Sequence, residues 1–200
     1  ANAIANAHLF DQLKQRAARP FPPSRLFIYY NERVMEHTVA QDSGAMLRDG
    51  IKSIAKQGVC PESDWPYVIE RFAKKPGAAC YKSALDHQAI SYERLLQTAT
   101  QMKGCLASGS PFVFGFTVYD SFESTEVAKT GVVPLPSTEE RVVGGHAVLA
   151  VGYDDATQRF RVMNSWGARW GQRGYFTMPY AYLTDPDLAA DFWTVRIVET

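Results

Sequence analysis

Apolar residues near the start of the chain recur at the spacing of one helix face. They are separated by 4, 3, 3 and 4 positions, as Ala3, Ala7, Phe10, Leu13 and Ala17. Residues three and four apart lie on the same side of a helix, so this pattern predicts a first helix. The prolines at positions 20, 22 and 23 cannot continue a helix and are predicted to end it.

Two further helices are predicted from their caps and apolar stripes. One has Ser43 as its N-cap and ends at Gly58, with the stripe Leu47, Ile51 and Ile54. The next has Ser91 as its N-cap and ends at Ser108-Gly109, with the stripe Leu95, Ala99, Met102 and Leu106. The first part of the chain is therefore predicted to be mainly helical.

The hydrophobic period falls towards two after residue 110. Buried or alternating runs predict five strands, at 112–118, 147–151, 159–163, 174–178 and 192–197. The segment 154–157 predicts a turn between the second and third of them. Helices followed by strands indicate the α+β fold class with two unlike lobes, which we divide into residues 1–87 and 88–200.

Composition excludes several classes of protein. Lys+Arg 21 and Asp+Glu 21 leave a formal net charge of +0, so the basic surface of a general nucleic-acid binder is absent. No apolar stretch is long enough to span a bilayer. No histidines or cysteines have metal-site spacing, so we expect no metal and no other cofactor. Three cysteines in 200 residues favour a cytoplasmic or periplasmic protein over a secreted one.

One histidine stands where a general base is expected. His146 follows Gly144-Gly145 and begins the predicted strand Ala147–Val151, so its imidazole lies at the end of a rigid element. Asn164 ends the neighbouring predicted strand, and antiparallel pairing can bring the two side chains together. An Asn carbonyl can accept a ring N–H, and Trp166 can cover that bond from water. This geometry fits a catalytic pair and a structural pair alike.

The segments around these residues resemble the His and Asn blocks of papain-like cysteine peptidases. They read Gly-Gly-His-Ala-Val-Leu-Ala-Val-Gly-Tyr over 144–153 and Met-Asn-Ser-Trp-Gly-Ala-Arg-Trp-Gly-Gln-Arg-Gly-Tyr over 163–175. The resemblance implies a papain-like two-lobe fold, with a helical left lobe, an antiparallel β-barrel-like right lobe and the active-site cleft between them. It also implies a Cys-His-Asn mechanism in which His146 and Asn164 are catalytic and Trp166 shields their contact.

The same resemblance assigns substrate contacts. Asp42-Ser43-Gly44 resembles the edge that pairs with the substrate backbone, and the residues after it resemble walls of the pocket beside the scissile bond. Ala45 replaces a bulky aromatic residue of the family, which predicts a roomy apolar pocket for Leu, Val or an aromatic side chain. The implied substrate-binding residues are Gly44, Ala45, Met46, Leu47, Gly145 and Ala147.

The nucleophile is expected outside the given sequence. The family has a Cys at the start of its long central helix, which Ala1–Ala7 matches, and the bacterial run Cys-Thr-Ala-Asn-Ala would place that thiol about two residues before Ala1. Cys60 follows a predicted helix end, where the dipole disfavours a thiolate. Cys80 is predicted in a loop and Cys105 inside a helix. We expect structural roles for all three, and a Cys60–Cys80 bridge stays open.

Three functions are compatible with this sequence. The first is a papain-like cysteine endopeptidase, which acts on a peptide or protein substrate and can have an inhibitory propeptide as a further partner. The second is a non-catalytic papain-like peptide-binding protein that lacks the thiol. The third is a transglutaminase-like amidase, which the Asn-Ser-Trp-Gly run disfavours because such relatives usually orient the base with Asp. Residues 130–143 are interpreted as a surface loop, with a flap as the alternative.

Overall fold

The computed structural model describes residues 1–198 and divides them into two units. Unit 1 contains residues 1–93 together with residues 195–198, and unit 2 contains residues 94–194. Unit 1 is mainly helical, and unit 2 contains most of the β-sheet. No helix in residues 1–198 has both the length and the apolar character needed to cross a membrane.

Unit 1 is built on three helices that pack on one another, with a short fourth helix and one strand. Fully buried apolar residues lie on the facing sides of the three helices, including Ile4, Phe27 and Ile51. Burying each such side chain stabilises the fold by about 1.5–3 kcal/mol. The elements are α1 (Asn2–Lys14), α2 (Arg25–Glu36), α3 (Leu47–Gln57), α4 (Ala78–Ala84) and β1 (Ala89–Arg94), and a 3-10 turn covers Ile69–Arg71.

The first two predicted helices are present, with differences at their ends. In α1 the predicted stripe is partly wrong, because Leu13 is 54% exposed while Ala3 and Ala7 are buried. The predicted cap of α3 is also wrong: Met46 is the N-cap and Ser43 lies before it in irregular chain. The extended backbone of Met46, with φ −74° and ψ 131°, delays the helix to Leu47.

Two helices of unit 1, α2 and α4, were not predicted from the sequence. Ser24 caps α2 by accepting a hydrogen bond from the Phe27 N–H at 3.1 Å. It directly follows the prolines that were predicted to end the first helix, but α1 already ends at Lys14. Helix α4 has only seven residues, too short to show a period. It contains Cys80, so the prediction that this residue lies in a loop is wrong.

The third predicted helix starts later than its pattern indicated. Ser91 lies inside β1, and α5 begins at Ala99 with Thr98 as its N-cap. The Leu95 N–H donates to the Phe192 carbonyl at 3.0 Å, so the backbone here is extended. Hydrogen bonding to a distant part of the chain therefore prevails over the local helical spacing of Leu95 and Ala99.

Unit 2 contains the sheet that carries all five predicted strands. Its elements are α5 (Ala99–Ala107), β2 (Phe112–Tyr119), α6 (Thr125–Thr130), β3 (Val142–Asp154), β4 (Arg159–Met163), β5 (Tyr175–Pro179), α7 (Tyr180–Thr184) and the first part of β6 (Ala189–Val198), whose residues 195–198 belong to unit 1. The strand order is β1-β6-β2-β3-β4-β5, and the pairs from β6 to β5 are antiparallel. The α+β class predicted from the sequence is therefore present.

The core of unit 2 is aromatic. Phe112, Phe114 and Phe116 alternate along β2 and are almost wholly buried, as a period of two requires when one face of a sheet is covered. Phe160 of β4 and Phe176 of β5 face the same core. The sheet register is therefore strongly specified, because a slip of one residue would expose this whole row.

The segment 130–143 is hydrogen-bonded to neighbouring elements near both of its ends. The Val133 N–H donates to the Thr177 carbonyl of β5 at 3.0 Å. Further along, the Glu140 carboxylate accepts from the Ser121 N–H at 3.0 Å and the Ser137 N–H at 2.9 Å, and these bonds lower its pKa. These contacts attach the segment to unit 2, and its interpretation as a surface loop stays a prediction.

Two buried titratable side chains lie three residues apart in α1. His8 is neutral with its proton on Nε2, because Nε2 lies 3.1 Å from the His87 carbonyl and Nδ1 accepts from the Gln12 amide at 3.0 Å. Burial lowers the His8 pKa to about 4. Among residues 1–198 neither carboxylate oxygen of Asp11 has a hydrogen-bond partner, and burial raises the Asp11 pKa to about 6.

The two shifts act on stability with opposite signs. The folded chain binds fewer protons at His8 between pH 4 and 6.5, so this contribution to stability grows as the pH rises through that window. At Asp11 the folded chain binds more protons between pH 3.8 and about 6, so stability falls as the pH rises. An ionised Asp11 therefore destabilises unit 1 at neutral pH.

The substitution Asp11→Asn is expected to increase the free energy of unfolding at pH 7 by roughly 2 kcal/mol, because it removes a buried charge without changing the side-chain shape. The gain should disappear near pH 4, where Asp11 is protonated in the folded chain. Urea denaturation between pH 4 and pH 7 measures both the increase in unfolding free energy and its loss at low pH. Asp86→Asn, at an exposed carboxylate, is the control and should change little; an equal effect of the two variants would contradict the assignment.

Candidate active site

Strand pairing places His146 and Asn164 at one end of the sheet. His146 lies in β3 opposite Phe116 of β2, and β3 pairs on its other side with β4, where Leu149 aligns with Met163. Asn164 follows β4 directly, and its N–H donates to the Gly174 carbonyl at 2.9 Å. The end of β4 and this bond to the chain before β5 together hold Asn164 beside the imidazole.

One hydrogen bond joins the two side chains. His146 Nε2 lies 2.8 Å from Asn164 Oδ1, and the same oxygen accepts from the Ser165 N–H at 2.8 Å. An amide oxygen can only accept, so the imidazole carries its proton on Nε2 and has a lone pair on Nδ1. Within residues 1–198, Nδ1 makes no hydrogen bond. The free nitrogen of this ring can therefore take a proton from another group.

Aromatic rings surround the imidazole. Trp166 stacks on His146 with ring centroids 5.3 Å apart and an interplanar angle of 22°. Phe116 lies 5.8 Å from His146 edge-on, and Phe122 lies 6.3 Å away. Trp166 itself is 43% exposed, so it covers the His146 ring on the solvent side. The sequence indicated Trp166 in this position, but neither phenylalanine.

Burial and hydrogen bonding act on the His146 pKa in opposite directions. Burial lowers the pKa of the imidazole because the charged form loses its hydration, and the hydrogen bond to Asn164 raises it. Burial is the larger effect, so the pKa lies below its ordinary value of 6.5. The ring is consequently neutral at pH 7, in the form that a general base requires.

The backbone next to His146 presents unpaired polar groups. The Thr117 N–H donates to the Leu188 carbonyl at 2.8 Å, so Thr117 and its partner Gly145 form a pair without mutual hydrogen bonds. The N–H and C=O of Gly145 therefore point away from β2. In residues 1–198, β4 pairs with β3 only from Leu149 onward, so this edge is open beside Gly145. Gly145 is exposed and Ala147 half-buried.

The other predicted substrate residues form a continuous segment of unit 1. Gly44 has φ +81°, the left-handed conformation that favours glycine, and an added Cβ would meet no atom within 4 Å. Ala45 is half-buried and Met46 is 60% exposed, so both can contact a ligand. Leu47 is only 6% exposed, because it begins α3 and packs into unit 1.

All three cysteines are buried. Cys60 and Cys80 are free thiols rather than a bridge, and burial together with the neighbouring Cys80 raises the Cys60 pKa. Cys105 lies within α5 and is hydrogen-bonded to the Ser110 carbonyl. A reactive thiolate needs a lowered pKa and access to solvent, and these positions do not offer that combination. Residues 1–198 also contain no cluster of three His, Cys, Asp or Glu side chains that could hold a metal ion.

Comparison with known families finds one that accounts for most of the chain. The sequence pattern of the papain family cysteine proteases matches residues 35–185, which include both His146 and Asn164. In fold, the structure is similar to xylellain, a cysteine protease from Xylella fastidiosa. The two share 46% sequence identity and a TM-score of 0.93, with 98% of this chain and 78% of xylellain covered.

Two curated proteins show related sequences. An uncharacterized peptidase C1-like protein of Acanthamoeba polyphaga mimivirus is 47% identical over 206 residues, which is 99% of this chain. A cathepsin B-like protein of Giardia intestinalis, CP3, is 46% identical over 158 residues, or 70% of this chain. The chain spans 66% of the length of the viral protein and 50% of the length of the Giardia protein.

Removing the Asn164 carboxamide is expected to lower the His146 pKa further, because that hydrogen bond is what opposes the effect of burial. NMR titration of the His146 ring in Asn164→Ala should show this downward movement of the pKa. The matched variant Asn164→Asp should move the pKa the other way, since it introduces a negative charge. A His146 pKa that is the same in both variants would contradict the assigned contact.

Proposed function

Because the chain belongs to the papain family of cysteine proteases and has the papain-like α+β fold, we propose that it is the His- and Asn-bearing part of a cysteine endopeptidase. The proposed reaction is hydrolysis of peptide bonds through a Cys-His-Asn mechanism. The observation that carries the proposal is the 2.8 Å bond from His146 Nε2 to Asn164 Oδ1, with Nδ1 of the same ring available.

His146 acts in both halves of the proposed reaction. Its Nδ1 takes the proton of the nucleophilic thiol, and the resulting thiolate attacks the peptide carbonyl carbon. The imidazolium then gives this proton to the leaving amine as the C–N bond breaks and an acyl-enzyme forms. In the second half Nδ1 takes a proton from water, the hydroxide attacks the thioester, and the thiol leaves with the proton returned.

Asn164 and the aromatic rings support these transfers. Asn164 keeps the proton of the ring on Nε2, so the same nitrogen, Nδ1, serves as base and acid in every step. Trp166 shields the His146–Asn164 hydrogen bond from competing water. The bond is electrostatically stronger in this shielded environment than it would be in water. The ring is thereby oriented before substrate arrives, which reduces the reorganisation needed in the transition state.

We place the nucleophile before Ala1 and not at any cysteine of this chain. Cys60, Cys80 and Cys105 are all buried, so a peptide carbonyl has no direct access to them. The match of Ala1–Ala7 to the start of the family's central helix supports a thiol shortly upstream. In this proposal Gly44, Ala45, Met46, Gly145 and Ala147 keep the substrate-binding roles that the family resemblance implies.

In the natural, full-length protein His146→Ala is expected to reduce peptide hydrolysis by at least a hundredfold, because it removes the group that moves every proton. Asn164→Ala should reduce kcat by roughly tenfold while leaving the fold intact, since it removes one orienting hydrogen bond. Initial rates on a fluorogenic peptide measure both effects, and far-UV circular dichroism checks the fold.

An epoxide-type thiol inhibitor locates the nucleophile in the same experiment. It should abolish hydrolysis, and mass spectrometry should find its label on none of Cys60, Cys80 and Cys105. Replacing each of the three by Ser is the control and should leave the inactivation rate unchanged. Hydrolysis that survives in His146→Ala, or a stoichiometric label on Cys80, would refute the proposed mechanism.

In a peptide substrate that is cleaved after an Arg, the residue directly before that Arg is expected to be apolar. With that residue varied through Leu, Val, Phe and Arg, kcat/KM for the apolar peptides should exceed that for Arg by tenfold or more, because the pocket walls are apolar. Met46→Glu should reduce the difference, whereas Leu85→Glu, at another exposed apolar residue of unit 1, should not. A preference of the unmodified protein for Arg would contradict this pocket.

A further inference from the structure

The segment that carries Gly44 lacks regular structure of its own. Residues 38–46 lie between α2 and α3, and in the described part of the chain the N–H groups of residues 42–46 donate to no backbone carbonyl. An irregular segment without such bonds needs other partners to hold one conformation. Those partners are side chains of the preceding helix α2.

Three residues on one face of α2 bind this segment in sequence. Tyr29, Arg33 and Glu36 are four and three positions apart, so they project from the same side of the helix. The Arg33 guanidinium donates to the Val39 carbonyl at 2.6 Å and to the Gln41 carbonyl at 3.1 Å. We call this face of Tyr29, Arg33 and Glu36 the α2 clamp.

The other two side chains of the α2 clamp bind on either side of Ala45. The Tyr29 hydroxyl accepts a hydrogen bond from the Gly44 N–H at 3.2 Å and donates its own proton to Asp42 Oδ1 at 2.6 Å. The Glu36 carboxylate accepts from the Met46 N–H at 2.7 Å. Gly44 and Met46 are therefore each attached through their backbone nitrogen.

Arg33 packs against the face of the Tyr29 ring and holds it in place. Its guanidinium is fully buried and lies 3.8 Å from the centre of the Tyr29 ring, and it also donates to the Tyr29 and Phe72 carbonyls. The Tyr29 pKa is raised to about 12, chiefly by burial, so the hydroxyl keeps its proton at physiological pH. With one proton committed to Asp42, the hydroxyl has a lone pair for Gly44 in a single orientation.

The attachment determines which backbone group of Gly44 is available. Its N–H is occupied by Tyr29, while in residues 1–198 no hydrogen bond occupies its carbonyl oxygen. The open space beside Gly44 leaves room for an extended chain there. Because Gly44 is held through its N–H, its carbonyl oxygen keeps a fixed position. There it can accept a hydrogen bond from an N–H of a peptide.

From these contacts we propose that Tyr29 and Glu36 are positioning residues, which hold the Gly44 carbonyl and the Met46 side chain for the peptide substrate. The inference rests on the proposed function, because it takes Gly44–Met46 as substrate-binding. It adds that the α2 clamp acts on substrate binding rather than on the chemical step.

Tyr29→Phe and Tyr30→Phe make a matched pair for the test, because both remove one hydroxyl from a half-buried ring of the same helix. In the full-length protein Tyr29→Phe is expected to raise KM for a short peptide about fivefold with kcat within twofold of the original, as the loss of one positioning hydrogen bond predicts. Tyr30→Phe should leave both constants unchanged.

Glu36 supplies a second, independent pair. Glu36→Ala removes the acceptor for the Met46 N–H and should raise KM similarly. Glu36→Gln keeps an acceptor oxygen in the same place and should restore KM to near the original value. A purely structural role would lower stability and kcat without this pattern of rescue, so urea denaturation of all four variants is measured alongside.

Peptide affinity is measured separately by fluorescence anisotropy in a His146→Ala background, where the peptide is not consumed. Absence of hydrolysis by the unmodified protein would overturn the proposed function, whereas equal affinities of the Tyr29→Phe and Tyr30→Phe variants would overturn the positioning role. A peptide that binds more tightly to Tyr29→Phe would also overturn it, because the freed Gly44 N–H would then be the partner of the substrate.

Discussion

The hydrogen bond between His146 Nε2 and Asn164 Oδ1 is the interaction on which the proposed chemistry depends. It forms because β3 and β4 are antiparallel neighbours and because Asn164 leaves the end of β4 towards the chain before β5. The amide oxygen cannot donate, so the bond determines which ring nitrogen carries the proton and which can act as a base. A slip of one residue in the strand register would turn the imidazole to the opposite face of the sheet.

Strand β2, which pairs with β3 beside His146, also builds the core of unit 2. Phe116 contacts the imidazole edge-on, and Phe112 and Phe114 alternate with it on the buried face of β2. The position of His146 is therefore coupled to close-packed aromatic rings, which resist displacement. The burial that gives this rigidity also lowers the His146 pKa, so the stability of the core and the neutral state of the imidazole have one cause.

Unit 1 uses buried or half-buried polar side chains where unit 2 uses strand pairing. Arg33, Tyr29 and Glu36 bind the backbone of the segment before α3, and Gln12 binds both the Phe21 backbone and the His8 ring. Apart from the contact with His8, which lies in α1, each of these bonds satisfies a backbone group of irregular chain. Irregular segments can then hold one conformation, which a substrate-binding segment needs if binding is not to cost additional ordering entropy.

The sequence by itself determined the α+β class, the five strands of unit 2, two of the helices and the papain-like resemblance, because period and motif are local properties of the chain. The tertiary structure decided what depends on distant partners: Ser91 lies in a strand, Cys80 is a buried residue of the short helix α4, and Phe122 packs beside His146. It also decided that α2 holds the segment of Gly44. A hydrogen bond from a backbone N–H to a tyrosine hydroxyl fifteen residues earlier leaves no periodic signal, since its partners meet only after the chain has folded.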